Sequence, residues 1–200
     1  MSRNLIHRIQ SQVFRRIDYF RFLDNTTVDT LVASLVQNII DSNYQPEVIV
    51  GISSGGDYPA EKLSEQFNTL FTKINISHYS LTFFGLELNE IVGVYRIAKM
   101  LGHKPATLLI EDIKPEDIVN KRILIVDDDS YSRMTLQLAR QSVLEKNPSE
   151  MKTAVLHTYS GNDIVDFAGR FYMRREYYDL RLRFPWSKIS PYYDEHFPKK

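Results

Sequence analysis

The fold of this chain is decided by the stretch Arg122-Ile-Leu-Ile-Val-Asp-Asp-Asp-Ser-Tyr-Ser-Arg-Met-Thr135. Its apolar run Ile123–Val126 predicts a buried strand, three acids follow at once in Asp127–Asp129, and apolar residues recur at helical spacing from Leu136 onward. Acids between a strand and a helix lie at the carboxyl edge of an open α/β sheet, where ligands bind. Carboxylates can hold Mg²⁺ or sugar hydroxyls there, and a helix N-terminus can hold a phosphate. The alternative is a solvated turn with an N-cap.

A second strand and turn occur earlier, in Glu47-Val-Ile-Val-Gly-Ile-Ser-Ser-Gly-Gly-Asp-Tyr-Pro-Ala60. The next apolar residues continue at helical spacing, so the turn again joins a buried strand to a helix. Glycine lets a backbone approach a ligand closely, and successive N–H groups can bind an anion. The candidate anion-binding residues are Ser53, Ser54, Gly55 and Gly56. A glycine pair in such a turn is a weak signal by itself.

Two families compete for the acidic stretch. Response-regulator receivers begin with a similar strand and acids, but they also need a phospho-accepting Asp and a Lys on later strands, and too little chain follows Asp127. The acidic stretch, the earlier glycine turn and Arg183-Phe-Pro-Trp186, taken in order, instead resemble the type I phosphoribosyltransferases. The last segment resembles the closing element of the hypoxanthine, guanine and xanthine branch. The resemblance covers the chain from about Thr27 onward.

The resemblance implies a single-domain α/β fold over residues 26–200, preceded by a helix or arm at residues 1–25. Alternating strands and helices independently predict a mostly parallel, twisted sheet flanked by helices. The family's flap, or hood, over the active site would come from the region 82–104. The remaining predictions are an N-cap at Thr26 or Thr27, strands at Val48–Ile52, Ile74–Leu81, Thr107–Ile110, Lys152–Thr158 and Leu180–Phe184, helices at Tyr58–Leu70 and Val92–Met100, and a charged turn at Glu111–Asn120.

The reaction that the resemblance implies takes place at the anomeric carbon of phosphoribosyl pyrophosphate, with Mg²⁺ as cofactor. Asp127 and Asp128 match the family's paired acids, which bind the ribose hydroxyls and the metal, and Tyr131 stands at the position of the proton acceptor. A phosphorylated ribose or nucleotide is the expected small-molecule partner. The implied substrate contacts are Ser53, Ser54, Gly55, Gly56, Ser132, Arg133, Met134, Thr135, Arg181 and Trp186.

Several positions depart from the family's pattern. Arg133 and Met134 replace a Gly-Gly pair whose backbone would fold tightly around a phosphate, and Arg133 could itself hold that phosphate. Tyr131 replaces an Asp, and a neutral phenol is a poor base at pH 7. Other family residues are replaced by Ser54, Tyr159 and Arg181. Two functions therefore stay open, an enzyme that makes a purine nucleotide and a ligand-binding or regulatory protein on the same fold.

The composition of the chain argues against some classes of binding partner. Lys and Arg number 25 and Asp and Glu number 25, so the chain has no overall basic field for nucleic acid. It has no cysteine, no signal-peptide pattern and no apolar run that could span a membrane. We therefore expect a cytoplasmic protein with no nucleic-acid or membrane partner. A homodimer is a separate expectation. The histidines are interpreted as surface or hydrogen-bonded core residues, since no metal-ligand spacing links His7, His78, His103, His157 and His196.

Overall fold

The structure is a computed structural model, and it describes residues 20–53, 55–77, 82–83, 86–87, 109–111, 113–130, 133–159, 163–172, 181–187 and 190–196. In chain order the elements are β1 (Phe20–Phe22), α1 (Asn25–Asp41), β2 (Val48–Ser53), α2 (Asp57–Phe67), β3 (Leu70–Ser77), β4 (Thr82–Phe83), β5 (Leu86–Glu87), β6 (Leu109–Glu111), α3 (Pro115–Ile118), β7 (Arg122–Ser130), α4 (Met134–Leu144), β8 (Glu150–Tyr159), β9 (Phe167–Tyr172), β10 (Arg181–Arg183) and α5 (Tyr193–His196).

The main sheet has six strands in the order β6-β3-β2-β7-β8-β9. All neighbouring pairs are parallel except β3 and β6, which run antiparallel at one edge. Parallel strands are covered on both faces, and their sequences accordingly read as continuous apolar runs. The expected mostly parallel α/β fold is confirmed.

The core has two parts, one on each face of the sheet. Side chains alternate along a strand, so Leu124 and Val126 of β7 face α1 and α2, whereas Ile123 and Ile125 face α4. All four are fully buried. Burying one such side chain stabilises the fold by roughly 1.5–3 kcal/mol, and β2 contributes a similar run beside β7.

The acids lie inside β7 and not beyond its end. The apolar run predicted a strand ending at Val126, but β7 continues to Ser130 because its pairing with β8 continues through Asp127 and Asp129. The prediction of a strand end was therefore wrong, since a ladder of backbone hydrogen bonds does not require apolar side chains. Pairing keeps the backbone of all three acids extended.

Helix boundaries also differ from the predictions. The N-cap of α1 is Asp24, whose carboxylate accepts a hydrogen bond of 2.8 Å from the Thr27 N–H, so Thr26 and Thr27 are already helical. The helix predicted to reach Leu70 ends at Phe67, because Asn68 takes a left-handed conformation.

Two further segments need correction. The strand predicted at Ile74–Leu81 begins earlier, because β3 pairs with β2 from Leu70 onward. The charged turn predicted at Glu111–Asn120 contains the last residue of β6 and the short helix α3, which Pro115 begins with a pre-set φ. The predicted helix Val92–Met100 and most of the implied flap lie outside the described residues, apart from the small antiparallel pair β4–β5.

The two ends of the domain meet beside the main sheet. β1 pairs in parallel with β10, and the Leu23 N–H donates to the Arg183 carbonyl at 2.9 Å. The rest of the N-terminal arm, residues 1–19, is outside the described part of the chain. Within the described ranges, no helix is long and apolar enough to cross a membrane.

Candidate active site

The candidate site lies where the sheet order reverses direction. From β2 the chain continues outward to β3 on one side, and it later returns as β7 on the other side of β2. The crevice at the carboxyl ends of two such strands is the usual ligand site of open α/β sheets. Here the loop after β2 carries Gly55 and Gly56, and the acids precede Ser130, the last residue of β7.

Close packing between these two segments leaves no room for a side chain at Gly56, and at Gly55 it would displace the Asp128 carboxylate. A Cβ on Gly56 would lie 2.2 Å from the Val126 carbonyl oxygen, and one on Gly55 would lie 2.6 Å from the carboxylate carbon of Asp128. No other residue type fits at Gly56 without moving backbone. The first loop therefore lies directly against the acidic strand.

The third predicted segment reaches the same point. The indole Nε1 of Trp186 donates a hydrogen bond of 2.7 Å to Asp128 Oδ2. Three segments that are far apart in sequence thus meet at one carboxylate. The Trp186 ring stacks on Phe184, with ring centroids 5.0 Å apart and planes 7° apart.

The acid pair has unusual electrostatics. Burial raises the pKa of Asp127 well above its usual range, and the neighbouring charge of Asp128 raises it further. Burial also raises the pKa of Asp128 to about 6, although the hydrogen bond from Trp186 acts in the opposite direction. The Asp128 N–H donates to Asp127 Oδ1 at 2.9 Å. Burial and repulsion between adjacent acids both favour a proton or a cation at this point.

The third acid has a different partner. Asp129 Oδ1 lies 3.1 Å from Nδ1 of His157, which is buried on the neighbouring strand β8. Alternation along β7 places Asp127 and Asp129 on the α4 face and Asp128 on the face towards α2. His157 is thus a hydrogen-bonded core residue, as one of the two interpretations of the histidines expected.

The loop after β7 has a glycine-like backbone without a glycine. Arg133 takes φ 63°, in the left-handed region, and it is the N-cap of α4. Its Nη1 lies 2.7 Å from Asp163 Oδ1. Arg133 thus adopts the backbone conformation that glycine favours, at a cost of about 1 kcal/mol. Met134 and Thr135 form the first turn of α4, whose N–H groups suit an anion.

Comparison with known proteins identifies the family. The model of the phosphoribosyl transferase domain matches residues 19–194. The chain belongs to the phosphoribosyltransferase family.

Relatives agree with this assignment at low identity. The bifunctional protein PyrR of Brevibacillus brevis is 24% identical over 156 residues, which cover 74% of this chain and 80% of that protein. A purine phosphoribosyltransferase from Pyrococcus horikoshii has a TM-score of 0.62 at 23% identity, covering 84% of this chain and 95% of that one. A hypothetical protein from Neisseria gonorrhoeae with bound ppGpp has a TM-score of 0.61 at 18% identity, covering 89% and 93%. Both structures share the phosphoribosyltransferase fold with this chain.

The first loop of this family member contains an acid that sequence reasoning missed. The Ser53 hydroxyl donates to Asp57 Oδ1 at 2.9 Å, and Asp57 Oδ2 lies 3.3 Å from Lys73 Nζ. A carboxylate just after Gly-Gly is visible in the sequence, and it adds negative charge to a loop interpreted as anion-binding. Lys73, on β3, offsets that charge and could have been found only from the sheet register.

Several of the predicted residues lie wholly or partly outside the described part of the structure. Ser54, Tyr131 and Ser132 lie outside the described residues. Arg181 and Tyr159 are in β10 and β8, but their side chains are outside the described part of the structure. Of the predicted set, the structure brings together Gly55, Asp128 and Trp186, and it places Arg133 at the start of α4.

The acid pair fits Mg²⁺ in the manner expected of a phosphoribosyltransferase. Asp127 and Asp128 offer hard carboxylate oxygens, and burial, together with repulsion from neighbouring acids, raises the pKa of both. Within the described ranges, no group of three or more His, Cys, Asp or Glu side chains could hold a metal. Mg²⁺ commonly takes only one or two protein carboxylates, with water and substrate phosphates as its other ligands. The residues present are therefore compatible with Mg²⁺ bound together with a phosphorylated substrate.

Proposed function

We propose that this protein transfers the phosphoribosyl group of phosphoribosyl pyrophosphate to a purine-like base, with Mg²⁺ at Asp127 and Asp128. The observation that carries the proposal is the meeting of the glycine loop, the acid pair and Trp186 at the Asp128 carboxylate. Membership of the family supports phosphoribosyl transfer in general. The purine-like acceptor rests on the closing Phe184-Pro185-Trp186 element and on likeness to the purine enzyme from Pyrococcus horikoshii.

The chemistry assigns a task to each part of the site. A ring nitrogen of the base bonds to the anomeric carbon as the bond from that carbon to pyrophosphate breaks, and the nitrogen then loses its proton. Asp127 and Asp128 would hold the ribose hydroxyls, and backbone N–H groups of Gly55 and Gly56 would hold the pyrophosphate. The first turn of α4 would hold the 5′-phosphate. Mg²⁺ when bound would neutralise charge on the departing pyrophosphate.

A second candidate is ligand binding without transfer. It is favoured by the first loop, where the Ser53 hydroxyl already donates to Asp57 and the Asp57 carboxylate brings negative charge near the pyrophosphate position. Tyr131 also lacks the basicity of the Asp it replaces, and general-base help is worth roughly a hundred- to ten-thousand-fold in rate. The Neisseria gonorrhoeae protein of the same fold holds ppGpp, a phosphorylated nucleotide.

The cellular context is part of the proposal. We place the protein in the cytoplasm, in purine salvage, as a homodimer. These assignments follow the family resemblance and the composition of the chain. Sedimentation of the purified protein at several concentrations tests the dimer, and a single monomeric species throughout would contradict it.

One experiment separates the two candidate functions. Calorimetry measures binding of phosphoribosyl pyrophosphate with and without Mg²⁺, and a steady-state assay measures transfer to hypoxanthine, guanine and xanthine. We expect Mg²⁺-dependent binding and slow transfer to at least one base. Binding with no transfer to any base would favour the binding protein. Absence of phosphoribosyl pyrophosphate binding would contradict the transferase.

A further inference from the structure

We infer that Trp186 is a positioning residue that orients the Asp128 carboxylate for its ligand, and that helix α5 holds the indole in place. This inference rests on the proposed function, because it describes how Asp128 is oriented before phosphoribosyl pyrophosphate and Mg²⁺ bind. It changes the expected role of Trp186 from a substrate contact to a support for one of the acids.

The Asp128 carboxylate is held from two sides. The Gly55 backbone lies against it, and a Cβ at Gly55 would fall 2.6–2.7 Å from its carbon and both oxygens. The Trp186 indole is a donor only, and its N–H lies 2.7 Å from Oδ2. The terminal torsion of an Asp side chain is otherwise broad, so a charge-assisted hydrogen bond to one oxygen sets the plane of the group. Oδ1 is then the acceptor that this bond leaves for a ligand.

The indole is in turn held by an aromatic cluster formed by Tyr58, Phe184, Trp186 and His196. Phe184 stacks on Trp186, and the Tyr58 and His196 rings each lie 5.4 Å from it, centroid to centroid. The Tyr58 and His196 rings also contact each other edge to face at 5.0 Å. A ring with neighbours on several sides has little free face for stacking on a base. The cluster therefore favours a supporting role for Trp186.

Helix α1 anchors the cluster through two hydrogen bonds. The Tyr58 hydroxyl donates to Asp29 Oδ1 at 2.7 Å, and His196 Nδ1 lies 3.2 Å from Asn25 Oδ1. Through His196 the C-terminal helix α5 contacts Trp186, and through Trp186 it reaches an acid of the site. The position of α5 is thereby coupled to the orientation of Asp128.

The test uses the fact that Trp186 is the only tryptophan of the chain, so intrinsic fluorescence reports on this ring alone. Trp186→Phe removes the N–H donor and keeps an aromatic ring. Tyr44→Phe is the matched control, because it removes a buried hydroxyl donor, bonded at 2.7 Å to the Ile123 carbonyl, outside the aromatic cluster. We expect Trp186→Phe to weaken binding of phosphoribosyl pyrophosphate with Mg²⁺ about 10- to 100-fold, and Tyr44→Phe to leave it within about twofold, both by calorimetry.

The fluorescence of Trp186 supplies a second readout, because its emission maximum depends on the surroundings of the indole and not on the overall stability of the fold. We expect the emission maximum of Trp186 to shift in Asp128→Ala, which removes the acceptor, and to shift in the wild type when phosphoribosyl pyrophosphate and Mg²⁺ bind. His196→Ala keeps the indole and loosens its support, so it should weaken binding less than Trp186→Phe does. It also serves as the second variant if Trp186→Phe does not fold.

The outcomes separate this inference from the proposed function. If the wild type binds and Trp186→Phe binds with unchanged affinity, the positioning role of Trp186 is overturned while the proposed function stands. If His196→Ala binds with unchanged affinity, the claim that α5 holds the indole in place is overturned. A wild type that does not bind phosphoribosyl pyrophosphate would overturn the proposed function and the inference with it.

Discussion

The two loops of the site differ in the reason why glycine suits them and in how strictly they need it. The loop after β2 uses Gly56, where a Cβ would lie 2.2 Å from a backbone carbonyl oxygen. The loop after β7 has Arg133 in the left-handed region that glycine favours, with its side chain directed to Asp163. The first position requires glycine because of a contact with neighbouring backbone, and the second only prefers it because of a torsion angle. A contact between backbones is far less tolerant of substitution than a strained torsion.

The largest expected effect concerns the acids where the first loop meets β7. Asp127→Asn with Asp128→Asn should abolish Mg²⁺-dependent binding of phosphoribosyl pyrophosphate, because two neutral amides cannot replace two carboxylates as hard anionic ligands. The fold should remain, since neutralising the buried Asp127 and the half-buried Asp128 relieves repulsion between them. Calorimetry and circular dichroism check the two parts. The control is Glu116→Gln, an exposed acid of α3. Retained Mg²⁺-dependent binding would remove these acids from the site.

The next effect tests the contact in the first loop. Gly56→Ala should destabilise the protein by about 3 kcal/mol, because the added methyl group meets the Val126 carbonyl and the backbone of Ile52. Urea denaturation measures the change in the free energy of unfolding. A change below about 1 kcal/mol would show that the loop can move away from β7, and the contrast between the two loops would then be wrong.

A smaller effect comes from pH. Asp128 has a folded pKa of about 6 and an unfolded value of 3.8, so its contribution to stability is fully present below the unfolded value and is lost as the pH rises through about 6. Without Mg²⁺, lowering the pH from about 7.5 to 5 should therefore raise the free energy of unfolding on the order of 1–2 kcal/mol through this group. Thermal unfolding across that range checks it, and the difference should become smaller in Asp128→Asn, where the buried Asp127 still contributes in the same direction.

The smallest effect isolates the torsion at Arg133. Arg133→Gly and Arg133→Ala both lose the contact with Asp163, but only glycine relieves the left-handed backbone. We expect the glycine variant to be more stable than the alanine variant by about 1 kcal/mol. Both should bind phosphoribosyl pyrophosphate less tightly if Arg133 contacts a phosphate as predicted. Equal stability of the two variants would show that the loop carries no strain.

Part of this protein could be predicted from local sequence. The apolar runs that became β2 and β7, and the acids and glycines that follow them, predict an α/β sheet with a ligand site at its carboxyl edge. Sheet strands and amphipathic helices leave such signals because their periods are set by residues adjacent in the chain. The order of the three segments also predicts the family, which the domain match confirms.

The details of the site were decided only by the tertiary structure. Asp128 and Trp186 are 58 residues apart, and nothing near either one indicates the hydrogen bond between them. The continuation of β7 through the acids depends on its pairing with β8, and the pairing of Asp57 with Lys73 depends on the packing of α2 against β3. The sequence by itself therefore determined which elements form and which residues lie at the sheet edge. Which side chains meet there is set by strand register and long-range packing, because those contacts join residues that local periodicity does not relate.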